Sequence, residues 1–549
     1  MNSLIEKFYP MLLIDNLSRF IVWAIALFGV LVTIYSIKFM KGKSGLVQYY
    51  LYIIFTIIAS LGVVLANNFI LLLIFWGFLG FTLYSLINTE IGAAATAKKT
   101  FIIVGGTDAL MLLGIAIIWN MTQTLQIDQI RIALDKPMAV FAYILLACGC
   151  FAKAGAMPFH TWIPDCAKDA PVPVVALLPA SLDKLLGIYL LARISLNLFI
   201  MSNAMNLFLM IVGAITIVAA VMMALVQHDL KRLLGYHAVS QVGYMVLGIG
   251  TGSLIGIAGG IFHMLNHAIY KSCLFLTAGD VESQTKTTDL DKLGGLAKFM
   301  PITFIGALIA SFSISGVPPF NGFFSKWMIY QGLVQRIALQ QTVVISVLCL
   351  LAAMFGSALT LASFMKLIHA AFLGTEGTHK KVSEVHWMMW LPIMILAVLC
   401  TIFGVFAKQI PLNNFIFPAV GVPEFVGFWA SSWATVLILA GIVIGFIIYA
   451  AGNIKGVIRE DNHYIGGETL AEEERLSGVD FYNSIRELPL LKLIYKKAED
   501  KLFDIYEQLK RVIFSIGGFF QHLHNGILPT YLVWCLLGML VLFFCYFRI

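Results

Sequence analysis

His263, His267 and Lys271 stand at i, i+4 and i+8 in Phe262-His263-Met264-Leu265-Asn266-His267-Ala268-Ile269-Tyr270-Lys271. On an α-helix each step of four drifts by about 40°, so all three side chains leave one face, about 6 Å apart along the axis. Two imidazoles and an amine in such a row can pass protons when water bridges neighbours. The surrounding run, 254–276, is apolar. Ionisable residues in a helix that crosses hydrocarbon mark an ion or proton path by default. A lone histidine on an apolar face is usually a satisfied packing residue, and three titratable groups on one stripe weigh against that reading. A zinc site is the other alternative. Met264 stands where a metalloprotease helix carries glutamate, and no third ligand lies nearby in sequence.

Lys153 and Lys326 form a second pattern. The first lies in Cys150-Phe151-Ala152-Lys153-Ala154-Gly155-Ala156-Met157-Pro158-Phe159-His160. The second lies in Ser315-Gly316-Val317-Pro318-Pro319-Phe320-Asn321-Gly322-Phe323-Phe324-Ser325-Lys326. Each lysine is within a few residues of Gly and Pro. Proline removes a backbone donor and frees a carbonyl. In a membrane such a break persists only where protein or water satisfies the backbone again. A buried lysine loses part of its preference for charge and can exchange protons near neutral pH. A nearby carboxylate holds the proton, and moving that carboxylate away releases it.

These groups need a scaffold, and the composition supplies one. Of 549 residues, 60% are hydrophobic and 12% charged, with a mean hydropathy of +0.90. That is more apolar surface than a soluble core of this size needs. The expected fold class is an all-α polytopic membrane protein. Apolar runs lie at 19–40, 48–66, 69–88, 100–119, 138–158, 174–197, 205–226, 236–250, 253–279, 301–330, 342–373, 389–408, 426–451 and 529–547. They give about fourteen transmembrane helices by the ~20-residue rule. The first run is too long for a signal-peptide core and leads into further runs, so no cleavable leader is expected.

Basic residues gather in alternate connections: Lys38, Lys41 and Lys43; Lys98 and Lys99; Lys168; Lys231 and Arg232; Lys286, Lys292 and Lys298; Lys380 and Lys381. The positive-inside rule puts these loops in the cytoplasm and both termini outside. The net charge of +7 is read as this topology, not as nucleic-acid binding. The cysteines lie mostly in or beside apolar runs and make no Cys-x-x-Cys, which argues against an iron–sulfur cluster. Gly252, Gly256 and Gly260 repeat every four residues and read as close helix packing.

The two breaks are five runs apart. An odd offset inverts the second unit, so the pattern predicts two inverted five-helix repeats, each with a broken helix. The expected organisation is an N-terminal span in 1–45, repeats in 46–200 and 201–375, further spans in 376–452, a linker with a lateral helix in 453–525, and a final span in 526–549. The linker from Asn453 to Leu488 is polar, with an acidic run Glu472-Glu473-Glu474. After Pro489, Leu491, Ile494, Ala498, Leu502, Ile505, Leu509, Val512 and Ile516 fall at steps of three and four. That spacing predicts one amphipathic helix near 490–516 on the cytoplasmic side, either an interfacial anchor or a strap across neighbouring helices or a partner subunit.

Several stretches resemble one family. Lys153 to Trp162 (KAGAMPFHTW), Pro171-Val172-Pro173-Val174, Asp229 to Tyr236 (DLKRLLGY), Ser240-Gln241-Val242-Gly243-Tyr244, the row His263–His267–Lys271, and Gly322 to Lys326 (GFFSK) carry the likeness. They are similar to the antiporter-like membrane subunits of respiratory complex I, a family that includes subunits of Mrp sodium/proton antiporters and membrane-bound hydrogenases. The likeness runs from about residue 12 to 375. The lateral helix and final span are similar to the distal, largest complex I subunit. This chain begins later, without counterparts of that subunit's first two spans, and its lateral helix is shorter. Tyr464 to Glu468 (YIGGE) and Asp480-Phe481-Tyr482 look more like the hydrogenase branch.

The resemblance implies a proton path with Lys153 in the first half, Lys271 and the two histidines centrally, and Lys326 on the exit side. Asp108 falls where the family has an aspartate, and Lys184 where several members have a membrane lysine. The implied function is a proton-translocating subunit of an energy-converting oxidoreductase complex, complex I-like or of hydrogenase type. It would sit in a cell inner membrane among other membrane subunits. Iron–sulfur or nickel–iron cofactors are expected only in those partners, with no redox chemistry, cofactor or metal in this chain. One position departs. The family carries glutamate after a tryptophan in the third run, and this sequence reads Phe75-Trp76-Gly77-Phe78. Gly77 cannot titrate. Asp183 is the candidate substitute, the alternative being that it only neutralises Lys184. Two other functions stay open: a membrane subunit of a cation/proton antiporter or bicarbonate-uptake complex, and a structural anchor made degenerate by Gly77.

Overall fold

A computed structural model describes residues 11–374, 382–425, 430–451, 479 and 482–547. Its helices are α1 (Asn16–Phe39), α2 (Leu46–Leu65), α3 (Phe69–Ile87), α4 (Ala94–Thr122), α5 (Pro137–Ala154), α6 (Trp162–Asp169), α7 (Val172–Leu177), α8 (Asp183–Arg193), α9 (Asn203–Leu225) and α10 (Leu230–Gly250). They continue as α11 (Leu254–Thr285), α12 (Pro301–Ser315), α13 (Asn321–Ala338), α14 (Val343–Ile368), α15 (Trp387–Val405), α16 (Ser431–Ala451), α17 (Pro489–Glu499), α18 (Ile505–Leu523) and α19 (Leu528–Phe547). A short parallel bridge pairs Ile132–Ala133 with Phe199–Ile200.

Every expected apolar run contains helix. Ten helices among the described residues are long and apolar enough to cross a membrane. Helices α10 and α11 are not among the ten, because they carry the polar and charged residues that the site uses. They are buried along nearly their whole length. The outer helices instead expose apolar side chains such as Ile54, Ile58, Ile74 and Leu112, the surface that lipid tolerates. Without a hydrophobic drive between helices in lipid, close packing must hold the centre. A Cβ on Gly248 would stand 2.8 Å from Gly256 O and 2.9 Å from Gly260 Cα, so the glycine repeat is a helix contact.

Ahead of α1, Asp15 ties the first helix to α8. Arg193 forks onto its carboxylate, with Nη2 donating to Oδ1 at 2.9 Å. Burial pushes this carboxyl up, but the guanidinium and the Ser18 amide outweigh it and hold the group below its ordinary value.

The chain divides into two compact units at Leu488/Pro489. In the second unit the expected single lateral helix is two helices, α17 and α18. Lys501 takes a left-handed φ of 57°, and Asp504 caps α18 by accepting the Tyr506 N–H at 3.0 Å. The apolar spacing runs on across this turn. Asp500 and Asp504 favour the end and the start of helices over interiors, and here local chemistry overrides the periodicity. Helix α19 is apolar all round. The acidic run at 472–474, Tyr464 to Glu468, Asp480, Phe481, Lys380 and Lys381 lie outside the described residues.

Candidate functional site

Helix α5 stops at Gly155, whose φ of 83° is left-handed, and the chain turns before resuming as α6. No side chain fits at 155: a Cβ would lie 1.8 Å from Ile163 Cδ1 and 3.1 Å from Lys184 Nζ. The amine against the break glycine is therefore Lys184, from α8. Lys153, two residues before the glycine, meets Asp183. Lys153 Nζ is 4.0 Å from Asp183 Oδ1, and both side chains are fully buried. Asp183 and Lys184 open α8 directly after a π-helical turn, Leu178–Leu182, that contains Pro179. Proline cannot donate to the helical ladder, and such wide turns often accompany functional sites.

The other side of Lys153 is occupied by Trp76, whose ring centroid lies 5.4 Å from Nζ. Trp76 Nε1 donates to Asp108 Oδ1 at 2.8 Å, which brings Asp108 into electrostatic reach of Lys153. Gly77 lies on the exposed face of α3, and a Cβ there would meet nothing within 4 Å. The carboxylates near Lys153 come from Asp108 and Asp183, on the inner side of α3.

Helix α11 carries His263, His267 and Lys271 into the middle of the bundle, each with 0% exposure. His263 is held at both nitrogens. Its Nε2–H donates to Gln241 Oε1 at 3.1 Å. Its Nδ1 lies 2.9 Å from the Ser325 hydroxyl oxygen, which it meets as acceptor when the ring is neutral and as donor when the ring is protonated. The electrostatic neighbours of His267 are Lys184, Lys271 and His263, which links the first break to the centre. The Lys271 amine has no hydrogen-bond partner among the described residues. It packs 5.6 Å from the ring centroids of Phe275 and Phe364.

The second break separates α12 from α13. Gly316 takes a φ of 80°, and a Cβ there would lie 3.1 Å from Lys326 Cδ. Lys326 Nζ donates to Ile314 O at 2.8 Å, a carbonyl that the end of α12 leaves without an intrahelical partner. A helix C-terminus is the negative end of its dipole, so it suits an ammonium. Asn266 Nδ2 donates to Asn321 O at 3.0 Å and ties α11 to this break. Lys326 Nζ also lies 4.8 Å from the Tyr244 ring centroid.

The structure thus brings Asp108, Lys153, Asp183 and Lys184 to one end of the row, His263, His267 and Lys271 to its middle, and Lys326 to the other end. Sequence reasoning missed the partners: Trp76, Gln241, Tyr244 and Ser325. Gln241 and Tyr244 had a signal, since with His237 they fall at i, i+4 and i+7 on α10 and make a second polar stripe beside that of α11. Among the described residues, no group of three or more His, Cys, Asp or Glu is placed to hold a metal ion.

Known proteins resemble this chain in sequence and in fold. The family model described as NADH:quinone oxidoreductase/Mrp antiporter, TM, matches residues 66–356. Subunit A1 of a Na(+)/H(+) antiporter from Staphylococcus epidermidis is 35% identical over 414 residues, which is 71% of this chain and 51% of that protein. The chain spans about half the length of the curated relatives it matches. A chain of the membrane-bound sulfane sulfur reductase, an archaeal respiratory membrane complex, has a TM-score of 0.81 at 23% identity, covering 97% of this chain and 89% of that one. A chain of the Mrp complex from Dietzia sp. DQ12-45-1b has a TM-score of 0.67 at 20% identity, covering 75% and 84%. At these identities the likeness to the solved structures is one of fold.

Proposed function

We propose a function from one premise: the chain belongs to the NADH:quinone oxidoreductase/Mrp antiporter transmembrane family. It is a proton-translocating, antiporter-like membrane subunit of an energy-converting oxidoreductase complex. Protons move along buried lysines, histidines, carboxylates and water, and partner subunits hold the redox cofactors. The complex sits in a cell inner membrane with both termini of this chain outside. The two broken helices belong to inverted repeats, and the site lies where they meet.

One observation carries this reading: Lys153, Asp183, Lys184, His263, His267, Lys271 and Lys326 are all buried between two helix breaks. Lys153 Nζ, both Asp183 oxygens, Lys184 Nζ and Lys271 Nζ have no hydrogen-bond partner among the described residues. Buried polar atoms that protein does not satisfy take ordered water, which is the medium a proton relay needs. Asp183 stands in reach of both Lys153 and Lys184. At 4 Å an ion pair is worth about 4 kcal/mol at an effective dielectric constant of 20. Moving the carboxylate from one amine to the other therefore changes which of them keeps its proton by about a thousandfold.

A cation/proton antiporter complex is the second reading, favoured by the Na(+)/H(+) antiporter name of the Staphylococcus epidermidis relative. Bicarbonate uptake has no such support. Against the degenerate-anchor reading stand Asp108 and Asp183, carboxylates near Lys153 that do not depend on residue 77.

The test is Lys271→Ala in the full complex, measured as proton uptake by inverted membrane vesicles. The variant is expected to assemble and to lose coupled transport. Uptake at the wild-type rate would remove the proposal. The second unit supplies a further expectation. Helices α17 and α18 are each amphipathic and strap a neighbouring subunit. Deleting 489–523 should lower recovery of the complex on native gels while the spans stay inserted. Unchanged recovery would reduce these helices to an interfacial anchor.

A further inference from the structure

We propose that His237, Ser363 and Lys366, with Phe364 as the gate, form a second proton branch joining Lys271 to the chain turn between α9 and α10. This rests on the proton-transport reading above and adds a port that the row from Lys153 to Lys326 does not contain.

His237 lies on α10 and is fully buried. Its Nε2 is 2.7 Å from Ser363 Oγ on α14, and its Nδ1 has no hydrogen-bond partner among the described residues. The charged groups acting on it are three lysines, Lys271, Lys326 and Lys366. A histidine this deep among cations leaves a buried nitrogen without a hydrogen-bond partner among the described residues. That is costly unless the nitrogen is used.

Phe364 touches both ends of the missing link. Its ring centroid is 4.7 Å from that of His237 and 5.6 Å from Lys271 Nζ. A ring that contacts both groups keeps water from bridging them, and a change of rotamer would let water in. Lys366 stands one helical turn beyond Ser363 on the same face of α14, at 1% exposure. Its Nζ donates to Leu225 O at 2.6 Å and to Gln227 O at 2.9 Å. An amine has two N–H donors and an ammonium three, so Lys366 can gain or lose a proton with both carbonyl bonds kept. Leu225 is the last residue of α9. Gln227 and His228 continue the turn, and the His228 side chain is 44% exposed, so the branch ends at the surface of the chain. Under the proposed orientation that surface is cytoplasmic.

The proton count closes. Water at the turn gives one proton to the Lys366 amine. Lys366 passes it through water to Ser363 Oγ, and the Ser363 hydroxyl gives its own proton to His237 Nε2. The imidazolium releases the proton on Nδ1, through water admitted by Phe364, to the neutral amine of Lys271. One proton leaves the aqueous side and one arrives at Lys271, and the proton left on His237 Nε2 passes to Nδ1 through the admitted water, which takes one proton and gives one back, so the ring begins the next cycle in its first tautomer.

The test uses vesicles containing the full complex, with assembly checked on native gels. His237→Gln keeps a hydrogen-bonding group beside Ser363 but does not titrate, and coupled proton uptake should fall about tenfold. Phe364→Ala removes the gate, and passive proton leak should rise measurably above the wild-type level. The leak must run through His237, so Phe364→Ala with His237→Gln should return it to the wild-type level. A leak that persists in the double variant, or His237→Gln with wild-type uptake, overturns the branch. If His237→Gln does not assemble, Ser363→Ala carries the test, and unchanged uptake there overturns the branch equally. Loss of transport in Lys271→Ala beside normal transport in His237→Gln sinks the branch alone. Normal transport in Lys271→Ala sinks the reading beneath it.

Discussion

Asp183→Asn is expected to cut coupled proton transport to about a tenth of wild type or less, close to the loss from Lys153→Ala. The carboxylate stands 4.0 Å from Lys153 Nζ with both groups fully buried, and the same charge acts on Lys184. Asparagine keeps the shape and removes the charge. Taking one partner from a buried ion pair costs about 3–5 kcal/mol when the other charge stays. The protein avoids that cost if the lysine gives up its proton, and then there is no carboxylate to reload it. Either outcome stops exchange, and native gels separate them: lost recovery means the charge stayed, normal recovery with lost transport means the proton left. Asp183→Glu keeps the charge and should retain more transport than Asp183→Asn. Wild-type uptake in Asp183→Asn would mean that Asp183 merely neutralises its neighbours, with Asp108 doing the work at Lys153.

Lys326→Ala should abolish transport to a similar degree, and Lys326→Arg separates two reasons why it might. Lys326 donates to Ile314 O at the broken end of α12. It therefore fixes the break electrostatically whether or not it ever releases a proton. Arginine keeps the positive charge and can bond the same carbonyl, but it stays protonated at all working pH values. If the lysine exchanges protons, Lys326→Arg should assemble normally and transport about as poorly as Lys326→Ala. Transport near wild type in the arginine variant would make Lys326 a fixed cap for the half-helix and remove it from the path. The Lys153 and Lys271 amines, which make no hydrogen bond to the described residues, have no such capping role to confuse the result.

The sequence by itself determined the class of the molecule, the apolar runs that become helix, and its family. Sixty per cent hydrophobic composition leaves no soluble alternative, and a run of ~20 apolar residues is a helix wherever hydrocarbon forbids unpaired backbone. The spacing of His263, His267 and Lys271 needed only helical geometry to put them on one face. The two breaks were equally legible, since Gly155 and Gly316 beside proline are local backbone chemistry. Other features depended on which helices meet. The sequence could not say that the amine against Gly155 is Lys184, because that contact joins the end of α5 to the start of α8, with α6 and α7 between them in the chain. It could not place residue 77 on the exposed face of α3, because a nearly all-apolar helix has no polar side to orient it. The lateral helix failed for the opposite reason: its periodicity continues through Asp500–Asp504, and capping chemistry ended the helix where the pattern did not. His237, Ser363 and Phe364 come from two helices far apart in the chain, so their meeting was set only when α10 packed beside α14. Periodicity fixes what lies along one helix, and side-chain chemistry in a membrane is decided by what faces it from the next.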